Sequence, residues 1–263
     1  MSQSKQSRRE ALRAQQEAEV RAAKRKKVIG VIAGVVVVVV AVVAGVFAFT
    51  NRSDSPSASG AQVNPPSADK DSGVYTIKSG TVKQGAPTLT IYEDYQCPIC
   101  KQTEDTYGDS IRSLAKSGDI KLQYRTLTFL DDNMRNDSSY KAAMAAAGAD
   151  MVGKLEAYHD VVYKNQPEQE GTGYTDEQLR TTFPKEAGIT GADLTKFQKY
   201  YDDKATSDFV KNAASKGLAE GQKLAGDQFG TPFFTVNCKK YTDWQNISSP
   251  TPETLLASIK KAA

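Results

Sequence analysis

The chain has 263 residues, of which 39% are hydrophobic and 25% are charged, so it is long enough to bury a substantial core. The net charge is +3, but residues 1–27 contain nine Lys and Arg against three Glu, a balance of +6 that leaves −3 for the remainder. The charge of the main domain therefore gives no support to a nucleic-acid-binding role.

Residues 28–49 predict a single transmembrane helix, because 22 uncharged residues at ~1.5 Å per residue span about 33 Å. Four basic residues at 24–27 precede this segment, and the positive-inside rule then predicts a cytoplasmic basic segment at 1–27 and an extracytoplasmic remainder. A cleaved signal peptide is the alternative, but the long leader and long apolar run favour an uncleaved anchor in the cell membrane. Residues 50–73 are rich in Ser, Pro, Ala, Asp and Gly and predict a flexible linker.

Residues 74–263 predict one folded α/β domain, in which β-branched and aromatic runs alternate with helical patterns. A long, mainly helical stretch at about 136–225 separates the first strands from the last ones. Within it, helices are predicted at 139–153, 154–165, 175–186, 192–201 and 203–224. Outside it, the predicted elements are strands at 75–78, 88–92 and 119–130, a helix at 98–116 closed by 117–118, a hairpin at 233–237 and 240–243, and a helix at 252–262.

The second predicted strand runs directly into the sequence Cys97-Pro98-Ile99-Cys100 at the start of a predicted helix. The unpaired N–H groups and partial positive charge of a first helical turn stabilise a thiolate, which makes Cys97 the candidate nucleophile. Cys100 lies one turn further along and is placed to resolve a mixed disulfide formed at Cys97. Pro98 suits the first turn because it has no N–H to leave unpaired.

Two other uses of this cysteine pair are less well supported. A zinc site needs four ligands, and Cys238 and His159 are the only remaining Cys and His in the chain. A purely structural Cys97–Cys100 disulfide would close so short a loop that it would restrict the unfolded chain very little. We therefore expect no metal and no soluble cofactor, with the redox-active disulfide itself carrying the chemistry.

The sequence of residues 94–100, Asp-Tyr-Gln-Cys-Pro-Ile-Cys, is followed much later by Gly-Thr-Pro-Phe-Phe-Thr-Val-Asn at 230–237. Together these motifs resemble the DsbA-like branch of the thioredoxin-fold disulfide oxidoreductases, of the membrane-anchored bacterial type. The resemblance implies a thioredoxin-like α/β fold with a helical subdomain inserted at about 136–225, preceded here by the predicted transmembrane helix.

The second motif supplies, in that family, a cis-proline loop packed against the active-site cysteines, and Thr231 and Pro232 match it position by position. We therefore predict a cis Thr231–Pro232 bond, with Thr231 adjusting contacts to Cys97; an ordinary edge-strand proline is the alternative. The dipeptide Pro98-Ile99 helps to set the redox poise in this family. Because the side chain of Ile99 cannot form a hydrogen bond, the dipeptide does not by itself indicate a strong oxidant.

Ile91 departs from the pattern of the family. Many relatives have an acid six residues before the first cysteine, proposed to move protons for the buried second cysteine, and here that position is apolar. Glu93 follows two residues later and so belongs to the same face of the strand. Two interpretations remain open: Glu93 replaces the missing acid as a proton acceptor, or it is solvated.

His159 and Cys238 stand outside these motifs. His159, the only histidine, falls in a predicted helix, where a packed helical residue is the simpler interpretation than a catalytic one. Cys238 follows Asn237 at the predicted hairpin turn and has no intrachain partner if Cys97 and Cys100 pair with each other. An unreactive thiol and an intermolecular or redox-modified one are both open.

The resemblance implies an extracytoplasmic thiol–disulfide oxidoreductase that introduces disulfides into exported cysteine-containing proteins. It also implies reoxidation by a quinone-linked membrane partner of the DsbB or VKOR type. A disulfide reductase or isomerase is the alternative within the same chemistry. A chaperone-like binder of unfolded exported chains is the alternative from another class.

Overall fold

The computed structural model describes residues 61–263. The predicted cytoplasmic segment, the predicted transmembrane helix and the first part of the predicted linker lie outside these residues. No helix within 61–263 is long and apolar enough to cross a bilayer.

The described chain forms a mixed five-stranded sheet with the strand order β1-β3-β2-β4-β5. The central strand β2 pairs in parallel with β3 and antiparallel with β4, while β1 and β5 pair antiparallel at the two edges. Six of the seven residues of β2 are buried, as expected for a strand covered on both faces. The strands are β1 (Tyr75–Thr76), β2 (Thr88–Asp94), β3 (Lys121–Leu127), β4 (Phe233–Val236) and β5 (Lys239–Lys240).

Helices cover both faces of this sheet. The first helix follows β2 directly, and most of the others lie between β3 and β4 in the chain. The helices are α1 (Pro98–Lys116), α2 (Leu130–Met134), α3 (Ser138–Asp150), α4 (Leu155–Lys164), α5 (Phe183–Glu186), α6 (Gly191–Asp202), α7 (Ser207–Ala225) and α8 (Pro252–Ala262). A π-helical turn at Gln178–Thr182 leads into α5, and 3-10 turns occur at Gly226–Gln228 and Asp243–Asn246.

The alternation of β2 side chains decides which helices each residue meets. Ile91 and Glu93 face α1, whereas Tyr92 faces α7 on the opposite side and packs against Phe229 and Phe233. Tyr92 also donates a hydrogen bond of 2.9 Å to Glu220 of α7. The active-site end of β2 is thus fixed from both faces of the sheet.

The predicted mixed α/β architecture is confirmed, and so are the bounds of α1. Its C-terminus is closed by Ser117, and Gly118 has a φ of +74°, a left-handed conformation that a glycine adopts without strain. The prediction of a second hairpin strand at 240–243 was wrong, because β5 is two residues long and Asp243 begins a 3-10 turn. The short helix α2 was not predicted.

The predicted flexible linker is too long at its C-terminal end. Ser67 donates hydrogen bonds of 2.8 and 2.6 Å, from its N–H and its hydroxyl, to the carboxylate of Asp150. The N–H of Val63 donates to the carbonyl of Ala205, and Ala68 forms a β-bridge with Tyr75. The segment after residue 62 is therefore packed on the domain, because its backbone groups find partners there despite a composition typical of linkers.

Candidate active site

Cys97 lies in the turn between β2 and α1. Its N–H donates a 2.9 Å hydrogen bond to the carbonyl of Asp94, which ends the strand. Cys97 then occupies the N-cap of α1 with an extended backbone, and its Sγ accepts the N–H of Cys100 at 3.4 Å. Pro98 fills the first helical position. This local sequence therefore aims a sulfur at the N–H groups of the helix.

The two thiols are both free and both buried, but their pKa values shift in opposite directions. The pKa of Cys97 lies below its ordinary value because the Cys100 side chain hydrogen-bonds to its sulfur. Burial opposes this effect, and hydrogen bonds from the Thr231 side chain and from the Cys100 N–H add to it. Burial first, and the neighbouring Cys97 second, raise the pKa of Cys100 well above its ordinary value. Cys97 is thus the better nucleophile and leaving group of the pair.

The loop before β4 approaches Cys97 from the other side. The Thr231–Pro232 peptide bond is cis, which confirms the prediction. The Cys97 thiol lies 3.3 Å from the carbonyl oxygen of Thr231 and donates to it. Pro232 lines a small cavity together with Cys100. The structure therefore brings together the four residues that the two sequence motifs supply.

Glu93 is buried, with 3% of its surface exposed, so the solvated interpretation was wrong. Its side chain lines the same cavity as Cys100 and Ile91. Burial raises the pKa of the Glu93 carboxyl above its ordinary value, and the charge and hydrogen bond of His159 partly offset that rise. A buried carboxyl group therefore lines the same cavity as the second cysteine.

His159 of α4 is the partner of Glu93, which the sequence did not reveal. Its Nε2 lies 3.0 and 3.1 Å from the two carboxylate oxygens, and only 1% of the histidine is exposed. The ring stacks on Tyr124 at 4.5 Å between centroids, with the edges of Tyr95 and Tyr163 against it. The expectation of a packed helical residue is confirmed, and the ring contacts an acid that lines the Cys100 cavity.

A charged cluster lies on the solvent side of this histidine. His159 Nδ1 is 3.3 Å from Asp160, which is half-buried and accepts a hydrogen bond of 3.0 Å from Arg112. Arg112 also pairs with Glu104 of the same helix. Glu104, His159 and Asp160 could each offer a metal one ligand atom within 4.8 Å of the others, but Arg112 already binds both carboxylates. The cluster therefore fits an ion-pair network better than a metal site.

A separate polar cluster fixes the turn itself. The Asp94 carboxylate accepts the Gln96 N–H at 3.0 Å, the Ser139 hydroxyl at 2.5 Å and the Leu130 N–H at 3.3 Å. Burial raises the pKa of Asp94 to about 7, against the effect of these donors. Gln166 also donates from its side-chain amide to the Cys97 carbonyl at 3.2 Å. Ser139 and Gln166, both in the insertion, therefore help to hold the cysteine turn in place.

Comparison with known proteins gives the family. The chain matches the family profile described as Thioredoxin (Thioredoxin_4) over residues 81–261. The chain belongs to this thioredoxin family. No curated protein matches it.

Solved structures of the thioredoxin family resemble the chain in fold. MdbA from Corynebacterium diphtheriae, described as a thiol-disulfide oxidoreductase, is 21% identical, with 80% of this chain and 97% of that chain covered and a TM-score of 0.57. The reduced DsbA from Mycobacterium tuberculosis is 22% identical over 73% and 92%, with a TM-score of 0.53. Oxidised BdbD from Bacillus subtilis is 19% identical over 77% and 98%, with a TM-score of 0.54. The resemblance noted in the sequence is thus confirmed at the level of the fold.

Two remaining residues of this thioredoxin domain lie at its surface. Ile99 is 39% exposed beside the buried cysteines, so an apolar side chain borders the site. Cys238 is exposed in the β4–β5 turn, where Asn237 and Cys238 have φ of 49° and 63°. Positive φ at both positions is the geometry of a type I′ hairpin turn. The structure places Cys238 apart from the Cys97–Cys100 pair.

Proposed function

We propose that the chain is an extracytoplasmic thiol–disulfide oxidoreductase that forms disulfides in exported proteins through the Cys97–Cys100 pair. The observation that carries this proposal is the asymmetry of the two thiols at one helix N-terminus. Both thiols are buried, but Cys97 has a lowered pKa and contacts Thr231, whereas Cys100 has a raised pKa. A dithiol of this kind is stable when reduced, because one sulfur is held as a thiolate.

The proposed cycle consists of two thiol–disulfide exchange steps. A substrate thiolate attacks Cys97 Sγ, the Cys97–Cys100 bond breaks, and the electron pair stays on Cys100, which takes up a proton. A second substrate thiolate then attacks the substrate sulfur of the mixed disulfide, and Cys97 leaves as a thiolate. The substrate is oxidised by two electrons, and the enzyme disulfide is reduced to the dithiol.

Glu93 serves in this proposal as the proton acceptor for Cys100, replacing the acid that is absent at Ile91. The two side chains line one cavity, and Glu93 is buried on the cysteine side of β2. Thr231 and Pro232 form the substrate-binding loop, with the Pro98-Ile99 dipeptide beside it. The family resemblance supports anchoring by residues 28–49 and reoxidation by a quinone-linked membrane partner, and both are part of the proposal.

In the test, oxidised full-length protein carrying Cys238→Ser is mixed with a reduced peptide that contains two cysteines. Mass spectrometry detects oxidation of the peptide. The expected result is stoichiometric formation of the peptide disulfide, which Cys97→Ser abolishes. The reduction potential in glutathione buffer decides the direction of the chemistry. A value of about −120 mV supports disulfide formation, and one of about −270 mV would identify a reductase and refute the proposal.

A further inference from the structure

A buried acid–imidazole pair lies beneath the active-site cysteines. Glu93 comes from the central strand and His159 from a helix of the insertion, and both are nearly inaccessible to solvent. The Nε2 atom is within 3.1 Å of both carboxylate oxygens. Charged groups in such a site are costly unless they are paired, so each depends on the other for its ionisation state.

Glu93 must be ionised in order to accept a proton from Cys100. Burial alone favours the protonated acid, which has no capacity to accept another proton. The cation that can offset this effect is the imidazolium of His159. Four acids, Glu93, Glu104, Glu156 and Asp160, lie around it with the cation Arg112, so a charged imidazole reduces the local excess of negative charge from −3 to −2.

We propose that His159, as an imidazolium, is a positioning residue that holds Glu93 in its carboxylate form, ready to take the proton of Cys100 when the disulfide re-forms. This inference rests on the proposed function, since it concerns the same cysteine pair. In the step, the Cys100 proton moves to Glu93, and the Cys100 thiolate attacks Cys97 in a mixed disulfide. The bond between Cys97 and its partner breaks, and the partner leaves as a thiolate. Glu93 returns the proton when a substrate opens the disulfide again.

Acidic groups on several elements stabilise the positive charge of His159. Burial disfavours the imidazolium, but Glu93 and Asp160 more than offset this effect, and the pKa of His159 is raised well above its ordinary value. The tyrosines that pack on the ring remain neutral because burial raises their pKa values. The titratable and charged groups facing the pair are Glu93 of β2, Tyr95 of the turn, Cys100, Glu104 and Arg112 of α1, Tyr124 of β3, and Glu156, Asp160 and Tyr163 of α4.

A single-turnover reaction isolates the step. Cys97 of the reduced full-length protein, carrying Cys238→Ser, is converted to its mixed disulfide with thionitrobenzoate, and release of the thionitrobenzoate anion reports the attack by Cys100. The rate is recorded across the range in which carboxyl and imidazole groups titrate, about pH 5 to 8, and above it. The wild-type rate should rise with pH as Glu93 ionises.

His159→Gln keeps a side-chain donor for Glu93 but cannot carry a charge. The rising part of the plot of release rate against pH, called the limb here, should move to higher pH. A shift of about one pH unit corresponds to about tenfold slower release at a pH on that limb. Glu93→Gln should remove the limb and slow release by about 100-fold near neutral pH. The double variant should be no slower than Glu93→Gln alone, because His159 acts only through Glu93.

Tyr124→Phe is the matched control, since it keeps the stacked ring against His159 and removes only a hydroxyl; it should retain the wild-type profile. Asp160→Asn is a milder second variant for the case in which His159→Gln does not fold. It weakens the charge on the histidine and should move the limb in the same direction by a smaller amount. The pH at which Glu93 ionises can be followed by NMR of its labelled carboxyl carbon. In each variant it should move in the same direction as the limb.

Slower release by the same factor at every pH, or an unchanged profile in His159→Gln and Asp160→Asn, would overturn the inference and leave His159 a packing residue. Additive effects in the double variant would do the same. These results are distinguishable from failure of the proposed function. In that case, the wild-type protein would release thionitrobenzoate with the expected profile yet fail to oxidise the peptide.

Discussion

Gly221 of α7 lies directly against the ring of Phe229, two residues before Thr231. A Cβ atom at this position would be 2.0, 2.2 and 2.6 Å from three ring atoms. We predict that Gly221→Ala destabilises the domain, although alanine favours a helix over glycine. The ring cannot turn aside freely, because Tyr92 and Phe233 hold its other edges at centroid distances of 6.1 and 5.4 Å.

The magnitude follows from two opposing effects. Helix propensity favours alanine by about 1 kcal/mol in a helix interior. To regain an ordinary carbon–carbon contact of about 3.5 Å, the ring must move by about 1.5 Å, and overpacking of this kind costs about 1–3 kcal/mol. Because three rigid ring atoms are involved, we place the cost near the upper end of that range. The free energy of unfolding should therefore fall by about 1–2 kcal/mol.

The assay is urea denaturation followed by fluorescence, with Gly148→Ala as the matched control. A Cβ at Gly148 would be 3.5 Å from Phe197, an ordinary contact, so that variant should gain up to about 1 kcal/mol from helix propensity. Gly221→Ala should also slow alkylation of Cys97, since Phe229 supports the loop whose Thr231 carbonyl contacts the thiol. If Gly221→Ala were as stable as Gly148→Ala, the reasoning from close packing would be refuted.

Three further predictions concern the thiols, the buried pair and the N-terminal segment. Cys100→Ala should raise the pKa of Cys97, because the Cys100 side chain is the largest cause of its lowering; the pH dependence of iodoacetamide alkylation measures this, and an unchanged profile would contradict it. The raised pKa of His159 means that its contribution to stability is fully present below the unfolded-state value of 6.5 and is lost as the pH rises through the folded-state value. Urea denaturation of wild type and His159→Gln should therefore converge at high pH, and a constant difference would count against the pairing. Ser67→Ala should cost about 1–3 kcal/mol, because it removes one of two donors to the partly buried Asp150 carboxylate; denaturation indistinguishable from wild type would show that residues near 67 add no stability.

The sequence predicted best the features that depend on neighbouring residues. The helix α1 was predicted with its observed bounds, since its start and its stop are both local: Cys97-Pro98 at one end and Ser117-Gly118 at the other. The cis Thr231–Pro232 bond was predicted from a motif of a few residues. In these places a family pattern and local stereochemistry point to the same structure.

The features that were missed depend on contacts between distant parts of the chain. Glu93 and His159 are 66 residues apart, and nothing in either neighbourhood indicates the other. The packing of residues near Ser67 likewise depends on Asp150, 83 residues later. A signal was present in the case of Glu93, because an acid on a strand face that is otherwise apolar needs a partner, and a single histidine leaves few candidates.

The position of the acid brings the helical insertion into contact with the cysteine side of the sheet. Moving the carboxyl from position 91 to position 93 keeps it on the same face of β2 but carries it about 6.6 Å further along the strand. Ile91 stays in the cavity as an apolar wall, while Glu93 reaches the ring of His159 on α4. The insertion thus supplies the counter-charge of the acid, and it also supplies Ser139 to Asp94 at the cysteine turn. Substitutions in α4 should therefore alter the reactivity of Cys100 without any direct contact with substrate.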